Sequence, residues 1–335
     1  MNRLRGPAAL RDVVRGRAPL VGPRLDPGAP AGFVSPIEAR CNLGLDYQDL
    51  SGEEKLALAH RSVTRDAAVV LKALVSRVAA SPERGSVRRT KVLVSPVDNL
   101  DVEEALELLF AEPQGRARLF HFVHPHAVNV ACRDAALRDC LARADGVFAD
   151  GIGMRLAAKL LRTPLKNNLN GTDMLPLVCD LAASKRVPLS LVGGAPGVAE
   201  ACAARLEANH PGLEVPLVRH GFMTEDETRA LVDSMKDLGR VLVLVGMGSP
   251  LQERWSHANL ASLPSVTALT VGGLFDFFSG RMPRAPQLVR DLGLEWAFRL
   301  RQEPRRMAKR YILGNPLFLA RVMRQRLRDS GPLHA

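Results

Sequence analysis

From about residue 90 onward the chain alternates between two textures. Short runs of consecutive apolar, often β-branched residues fall at 91–94, 118–123, 147–149, 189–192, 215–219, 241–245 and 267–271, and these predict strands. The stretches between them carry apolar residues at helical spacing and predict helices over 102–110, 127–142, 154–161, 175–184, 196–209, 226–238 and 250–261. Strands that are apolar throughout, rather than alternating, are buried on both faces. The pattern therefore predicts an α/β body: a Rossmann-like, mostly parallel sheet with helices on both faces.

The flanks differ. Residues 51–80 have helical periodicity, with Leu56, Leu58, Val63, Val70, Leu71 and Leu74 among the apolar positions, and Ser81-Pro82-Glu83-Arg84-Gly85 breaks it. Residues 1–35 are rich in Arg, Pro, Gly and Ala with little period. The predicted organisation is a flexible basic tail over 1–35, a helical appendage over 36–89, the α/β body over 90–286 and a basic amphipathic segment over 287–335.

Charge sharpens this division. The 335 residues carry a net +11, but residues 1–25 hold six Arg against Asp12, and residues 281–328 hold thirteen Lys and Arg against Asp291, Glu295 and Glu303. The stretch between is mildly acidic. In the C-terminal segment Trp296, Phe298, Tyr311, Leu317, Phe318 and Val322 interleave with the cations, a composition suited to an anionic interface. The competing reading packs the aromatics on the body and leaves only the charges in water. No apolar run approaches the ~20 residues that span a bilayer, and no secretory segment follows Met1. Five cysteines without a CxxC pair read as reduced cytosolic thiols, excluding a disulfide scaffold and a zinc ribbon.

In parallel sheets, ligands bind at the carboxyl ends of the strands, so the loops there are the candidate chemistry. His124-Pro125-His126 follows one strand; no Cys or Glu at ligand spacing accompanies it, so it reads as a ligand-facing loop rather than a metal site. Asp150-Gly151-Ile152-Gly153 places a carboxylate at a strand end, as a base or simply as a helix cap. Asn170-Gly171-Thr172-Asp173 precedes another helix, with Thr172 or Asp173 as an N-cap. Gly193-Gly194-Ala195-Pro196-Gly197 resembles a phosphate-binding turn without a full GxGxxG. Gly248, Gln252, Glu253, Gly273 and Asp276 belong to two further glycine loops, and Arg284 offers a fixed cation after them. There is no DxD triplet, GxSxG elbow or HExxH, which argues against a serine hydrolase and a zincin.

Taken in order, these pieces resemble the WecG/TagA/CpsF glycosyltransferases (glycosyltransferase family 26). The matching residues are Pro96-Val97-Asp98-Asn99-Leu100, Asp150-Gly151-Ile152-Gly153, Gly171-Thr172-Asp173, Gly246 to Glu253, Gly272 to Phe277, Arg284-Ala285-Pro286, Gly293-Leu294-Glu295-Trp296, Glu303-Pro304-Arg305-Arg306 and Arg310-Tyr311. The resemblance implies inverting transfer of a sugar from a UDP-sugar to a polyprenyl-diphosphate-linked saccharide in cell-surface or exopolysaccharide synthesis. It also implies a cytoplasmic enzyme, peripheral on the inner face of the bacterial plasma membrane. It assigns Asp150 as general base, and His126 is a second candidate by its chemistry. His124, Gly151, Asn170, Thr172, Asp173, Gly193, Gly194, Gly248, Gln252, Glu253, Gly273 and Asp276 become candidate donor or acceptor contacts. Arg284, Arg299, Arg305, Arg306 and Arg310 become candidates for the diphosphate or the membrane.

No motif demands a metal or other cofactor, and a homo-oligomer is compatible. The chain has His124-Pro125-His126 where the family commonly has Thr-x-Asn, and Asn168 where it commonly has Arg, which leaves the donor open between N-acetylmannosamine and glucose or another hexose. Two other classes compete. A dinucleotide enzyme built on Gly193–Gly197 would need an acidic ribose partner, and Glu214 is roughly in place. A nucleic-acid binder would explain the pI but not the polar loops, with only two Trp and two Tyr beyond Phe for stacking.

Overall fold

The computed structural model describes residues 7–23, 25, 32–43, 50–79, 88–286, 289–290 and 294–329. The predicted break at 81–85, Gly293 and the ends of the terminal segments lie outside these residues. The chain divides into two compact units. One comprises Met1–Gly85, Pro164–Asn168 and Ala285–Tyr311; the other comprises Ser86–Thr163, Leu169–Arg284 and Ile312–Ala335.

The second unit holds the sheet. Its elements run β1 (Arg89–Val92), β2 (Ser95–Asp98), α5 (Val102–Phe110), β3 (Arg118–Val123), α6 (Pro125–Ala131), α7 (Ala135–Arg143), β4 (Gly146–Ala149), α8 (Ile152–Leu160), α9 (Gly171–Lys185), β5 (Leu189–Gly193), α10 (Val198–Asn209), β6 (Leu217–Arg219), α11 (Glu225–Asp237), β7 (Val241–Gly246), α12 (Leu251–Asn259), β8 (Val266–Thr270) and α13 (Leu274–Phe278). Six strands form one sheet in the order β4-β3-β8-β7-β5-β6, every neighbouring pair parallel. Every residue of β7 is buried, as expected where helices cover both faces. Val241, Val243 and Val245 join one core cluster with Leu231 and Met235 of α11 and Leu260 beyond α12, while the alternating Leu242 and Leu244 are buried outside it.

The order creates a switch point. From β5 the chain crosses outward to β6, and from β7 it crosses inward to β8. The two connections leave neighbouring strands in opposite directions, which opens a crevice at their carboxyl ends.

Several predicted elements change. The predicted strand 91–94 is one arm of an antiparallel hairpin, β1 with β2, turning at Leu93-Val94. Leu93 takes a positive φ of 59° there, so no turn residue announces it. The predicted helix 127–142 is two helices because Asp134 accepts the Leu137 N–H and starts α7 anew. The strand predicted from 215 starts at Leu217, since Pro216 has no N–H to give a ladder.

The first unit carries α1 (Pro7–Val14), α2 (Glu38–Leu43), α3 (Leu50–Ala59), α4 (Val63–Ala79), α14 (Glu295–Gln302) and α15 (Pro304–Ala308). The tail predicted over 1–35 is not uniformly tail-like: α1 forms, and Val21 and Val34 bridge each other while fully buried. A pair thirteen residues apart leaves no local period. Beneath it, Glu54 is buried and accepts from Ser35 Oγ (2.7 Å) and the Leu25 N–H (2.8 Å). The predicted helix 51–80 splits at Ser62, whose Oγ accepts the Arg65 N–H (3.3 Å).

The segment predicted over 287–335 divides between the units at Tyr311. After a π-helical turn (Lys309–Leu313), α16 (Gly314–Asp329) packs on α6 and α8 within the sheet unit and buries Phe318 and Val322. The aromatic at 318 therefore serves the body, as the competing reading held.

Candidate active site

Each loop predicted to carry chemistry lies at the carboxyl edge of the sheet. Asp150 follows β4, is half-buried, and donates its N–H to Val123 O (2.8 Å), which ties the end of β4 to the end of β3. The N-cap of α8 is Gly151, and no side chain caps that helix. Asp150 is thus not the helix cap. His124 is a cap: its Nδ1 accepts the Ala127 N–H (3.1 Å) at the start of α6. Its ring stacks on His126, centroids 6.1 Å apart. The ring of Pro125 lies against Gly153, where an added Cβ would come within 2.6 Å of Pro125 Cγ. The histidine loop and the Asp150 turn are therefore in contact.

At the switch point two backbones touch. Gly194 donates its N–H to Gly246 O (2.9 Å), and Gly221 donates to Gly194 O (2.9 Å). Gly221 and the exposed Phe222 after it were not picked out by sequence; the Gly-Phe pair following an edge strand was the available signal. The helices on either side, α10 and α12, begin at Gly197 and Pro250 without side-chain caps, and α13 begins likewise at Gly273. By contrast α5, α7 and α11 are capped by Asp101, Asp134 and Thr224. Backbone carbonyls receive one first-turn amide each of α10 and α12, Val198 N–H by Ala195 O (3.0 Å) and Gln252 N–H by Gly248 O (3.0 Å), so these starts offer an anion their positive dipole ends and the amides that remain.

Asn170, rather than Thr172 or Asp173, caps α9: its Oδ1 accepts from the Thr172 N–H (2.9 Å) and the Thr172 hydroxyl (2.7 Å). Arg284 Nη2 donates to Thr172 Oγ1 (2.9 Å) and pairs with Asp173. The cation predicted to meet a diphosphate is therefore engaged with the start of α9. Asp276 lies in the first turn of α13, 3.8 Å from Arg281 Nη1.

Gln252 and Glu253 turn inward, with 3% and 0% of their surface exposed. Gln252 Oε1 accepts from the N–H groups of Gly248 (3.1 Å) and Gly272 (2.9 Å). Its Nε2 donates to Glu253 Oε1 (2.9 Å), which also accepts from Ser249 Oγ (2.5 Å). Burial pushes the Glu253 carboxyl above its ordinary pKa despite these donors.

Two features were not found from sequence. Beneath the site, His121 is fully buried on β3, with Nδ1 3.1 Å from Thr270 Oγ1 and Nε2 3.2 Å from His257 Nε2. Desolvation, helped by His257, lowers its pKa to about 3. Asn129 of α6 fastens α16, donating to Gly314 O (2.7 Å) and accepting from Arg321 Nη1 (2.7 Å).

Of the C-terminal arginines in the first unit, Arg299 pairs with Glu295 (3.4 Å), Arg306 pairs with Glu303 (2.9 Å), and Arg310 lies over the Tyr311 ring; Arg305 is exposed. Glu214, the acid that a dinucleotide site would need, lies on the wrong edge. Its carbonyl accepts the N–H of Leu189 at the amino end of β5. Among the described residues no three His, Cys, Asp or Glu side chains cluster as metal ligands.

Fold and site together define a doubly wound, parallel α/β protein with a crevice at its switch point between β5 and β7 and a carboxylate, Asp150, at the carboxyl end of the edge strand β4. The Glycosyl transferase WecG/TagA/CpsF family matches over residues 90–332, so the chain belongs to this family of glycosyltransferases. It is 30% identical over 245 residues to the N-acetylglucosaminyldiphosphoundecaprenol N-acetyl-beta-D-mannosaminyltransferase of Bacillus spizizenii, covering 71% of this chain and 93% of that relative.

Proposed function

We propose that the chain moves a hexose or N-acetylhexosamine, with inversion, from a UDP-sugar to a polyprenyl-diphosphate-linked saccharide in cell-surface or exopolysaccharide synthesis. The observation that carries this reading is the switch-point crevice: Gly194 and Gly246 in backbone contact, flanked by the uncapped starts of α10 and α12. In this reading loop amides and helix N-termini, rather than a metal, meet the diphosphate. Phe222, 75% exposed, offers a ring face at the rim for a base. The name of the B. spizizenii relative supplies the acceptor class, a sugar on diphosphoundecaprenol. Asp150 takes the proton of the acceptor hydroxyl, with His126 as second candidate. The unmatched His124-Pro125-His126 loop keeps the donor sugar broader than N-acetylmannosamine.

No helix among the described residues is long and apolar enough to cross a membrane, and in this reading the lipid-linked acceptor is met at the membrane surface. We assign this contact to α16; Arg299, Arg305, Arg306 and Arg310 of the first unit are separate candidates for an anionic leaflet or the lipid diphosphate. The test is UDP release by the full chain with a panel of UDP-sugars and a polyprenyl-diphosphate-saccharide acceptor. Release with one or two donors is expected; none with any donor, or a melting shift with NAD(P) but not UDP, overturns the reading.

A further inference from the structure

Gln252 joins two loops that the sheet alone does not fasten together. The Gly248 turn follows β7 and the Gly272 turn follows β8, and the Gln252 side chain binds the backbone amides of both. Both amides are donors, so the Gln252 atom facing them must be its oxygen. That fixes the carboxamide nitrogen toward Glu253, whose Oε1 receives it together with the Ser249 hydroxyl. If the carboxamide turned over, an N–H group would face two N–H groups.

We propose that Glu253 is a positioning residue: it holds the Gln252 carboxamide in one orientation and so sets the spacing of the Gly248 and Gly272 turns. This rests on the reading that the crevice takes a UDP-sugar, and it gives the buried pair a role other than contact with the donor. The chemistry of Glu253 fits an acceptor rather than a charge. Its Oε2 is buried without a hydrogen-bond partner, so an ionised carboxylate would carry uncompensated charge in the core. Only Oε1 is needed for the brace. A Cβ on Gly248 or Gly272 would meet nothing within 4 Å, so the outer surfaces of both turns have room for a ligand.

The role separates two substitutions. Glu253→Gln keeps the accepting oxygen and the shape; Glu253→Leu keeps bulk and removes the acceptor. Two measurements on the full chain read the outcome: UDP affinity by calorimetry, and amide exchange of the peptides that contain Gly248 and Gly272. Glu253→Gln is expected to bind UDP within about twofold of the parent with unchanged exchange. Glu253→Leu is expected to weaken UDP at least ~10-fold, to raise KM more than it lowers kcat, and to speed exchange in both peptides. Gln252→Leu, made in parallel, is expected to match it, and the double variant to be no worse than either alone. Equal damage from Glu253→Gln and Glu253→Leu would overturn the proposal, as would unchanged exchange in folded Glu253→Leu. Faster exchange in Glu253→Leu, with a parent chain that fails to bind UDP, would keep the brace and discard the UDP reading.

Discussion

Gly193 lies so close to Gly246 that a Cβ on it would stand 2.3 Å from the Gly246 carbonyl oxygen. Gly193 also holds a φ of +144° that a side chain rarely adopts. This contact lets the ends of β5 and β7 converge on the crevice. Gly193→Ala is therefore expected to cost at least ~1–3 kcal/mol through overpacking alone. Gly197→Ala, where an added Cβ has open space, should cost less. Urea unfolding of both variants checks this; equal stability of Gly193→Ala and the parent would show that the strands separate freely.

Arg284 and Asp173 form an ion pair in which the carboxylate side chain is only 6% exposed. Removing the cation leaves a buried charge short of its partner, and such losses run to about 3–5 kcal/mol when fully buried. Arg284→Met should therefore lower stability by about 2–3 kcal/mol without any ligand present, since the arginine is itself 28% exposed. Adding Asp173→Asn should restore part of it. Thermal unfolding of the two single variants and the double variant decides the matter. An unaltered melting temperature in Arg284→Met would return this arginine to the diphosphate.

The contrast between these two cases shows what could be read in advance. β7 and β8 were legible because strands buried on both faces are apolar at every position, and the glycine loops were legible because they sit at strand ends. The Arg284–Asp173 pair was not, because partners 111 residues apart leave no local spacing to read. The hairpin at Leu93 is similar. Its turn has no Gly or Asn, and the Leu93 N–H is received instead by Gln325, 232 residues away. Gln252 was placed correctly in the first turn of a helix, but which way it faces depends on the amides of Gly248 and Gly272. Periodicity cannot supply that.

His121 gives the fold a pH dependence with a definite sign. Its folded pKa is about 3, against ~6.5 in an unfolded chain. Between those values the unfolded chain binds the proton and the folded one does not. The stabilisation is thus complete above ~6.5 and is lost as pH falls toward 3, at up to ~1.4 kcal/mol per unit. His257 is lowered mainly by burial and acts in the same direction. The difference in unfolding free energy between the parent and His121→Leu should shrink steadily from pH 7 to pH 5. A difference independent of pH would mean that His121 binds its proton alike in the folded and unfolded chain, with no lowering of its pKa.

Asp150→Asn tests the proposed base directly. The N-cap of α8 is Gly151, so the substitution removes no helix cap, and it keeps the shape of the side chain. Turnover should fall by ~10²–10⁴, the usual contribution of a general base, while UDP-sugar affinity stays near the parent value. If turnover survives in Asp150→Asn and collapses in His126→Gln, the base is His126.

The proposed membrane contact rests on the outer stripe of α16 and of the π-helical turn before it. Leu313, Leu317, Ala320, Arg324 and Leu327 recur every three or four residues and are all exposed, with Leu313 at 66% and Leu327 at 69%. Phe318 and Val322 face the other way and are buried. Truncation after Pro286 would strip these two from the core, so substitution on the stripe is the cleaner experiment. Each leucine that enters the interface contributes ~1.5–3 kcal/mol if fully buried, and each nearby cation ~1 kcal/mol. Leu313→Asp with Leu317→Asp should therefore reduce co-sedimentation with anionic vesicles by at least tenfold at low salt. UDP release with a short-chain soluble acceptor should be unchanged. If the double variant sediments like the parent, the lipid surface is met by another part of the chain.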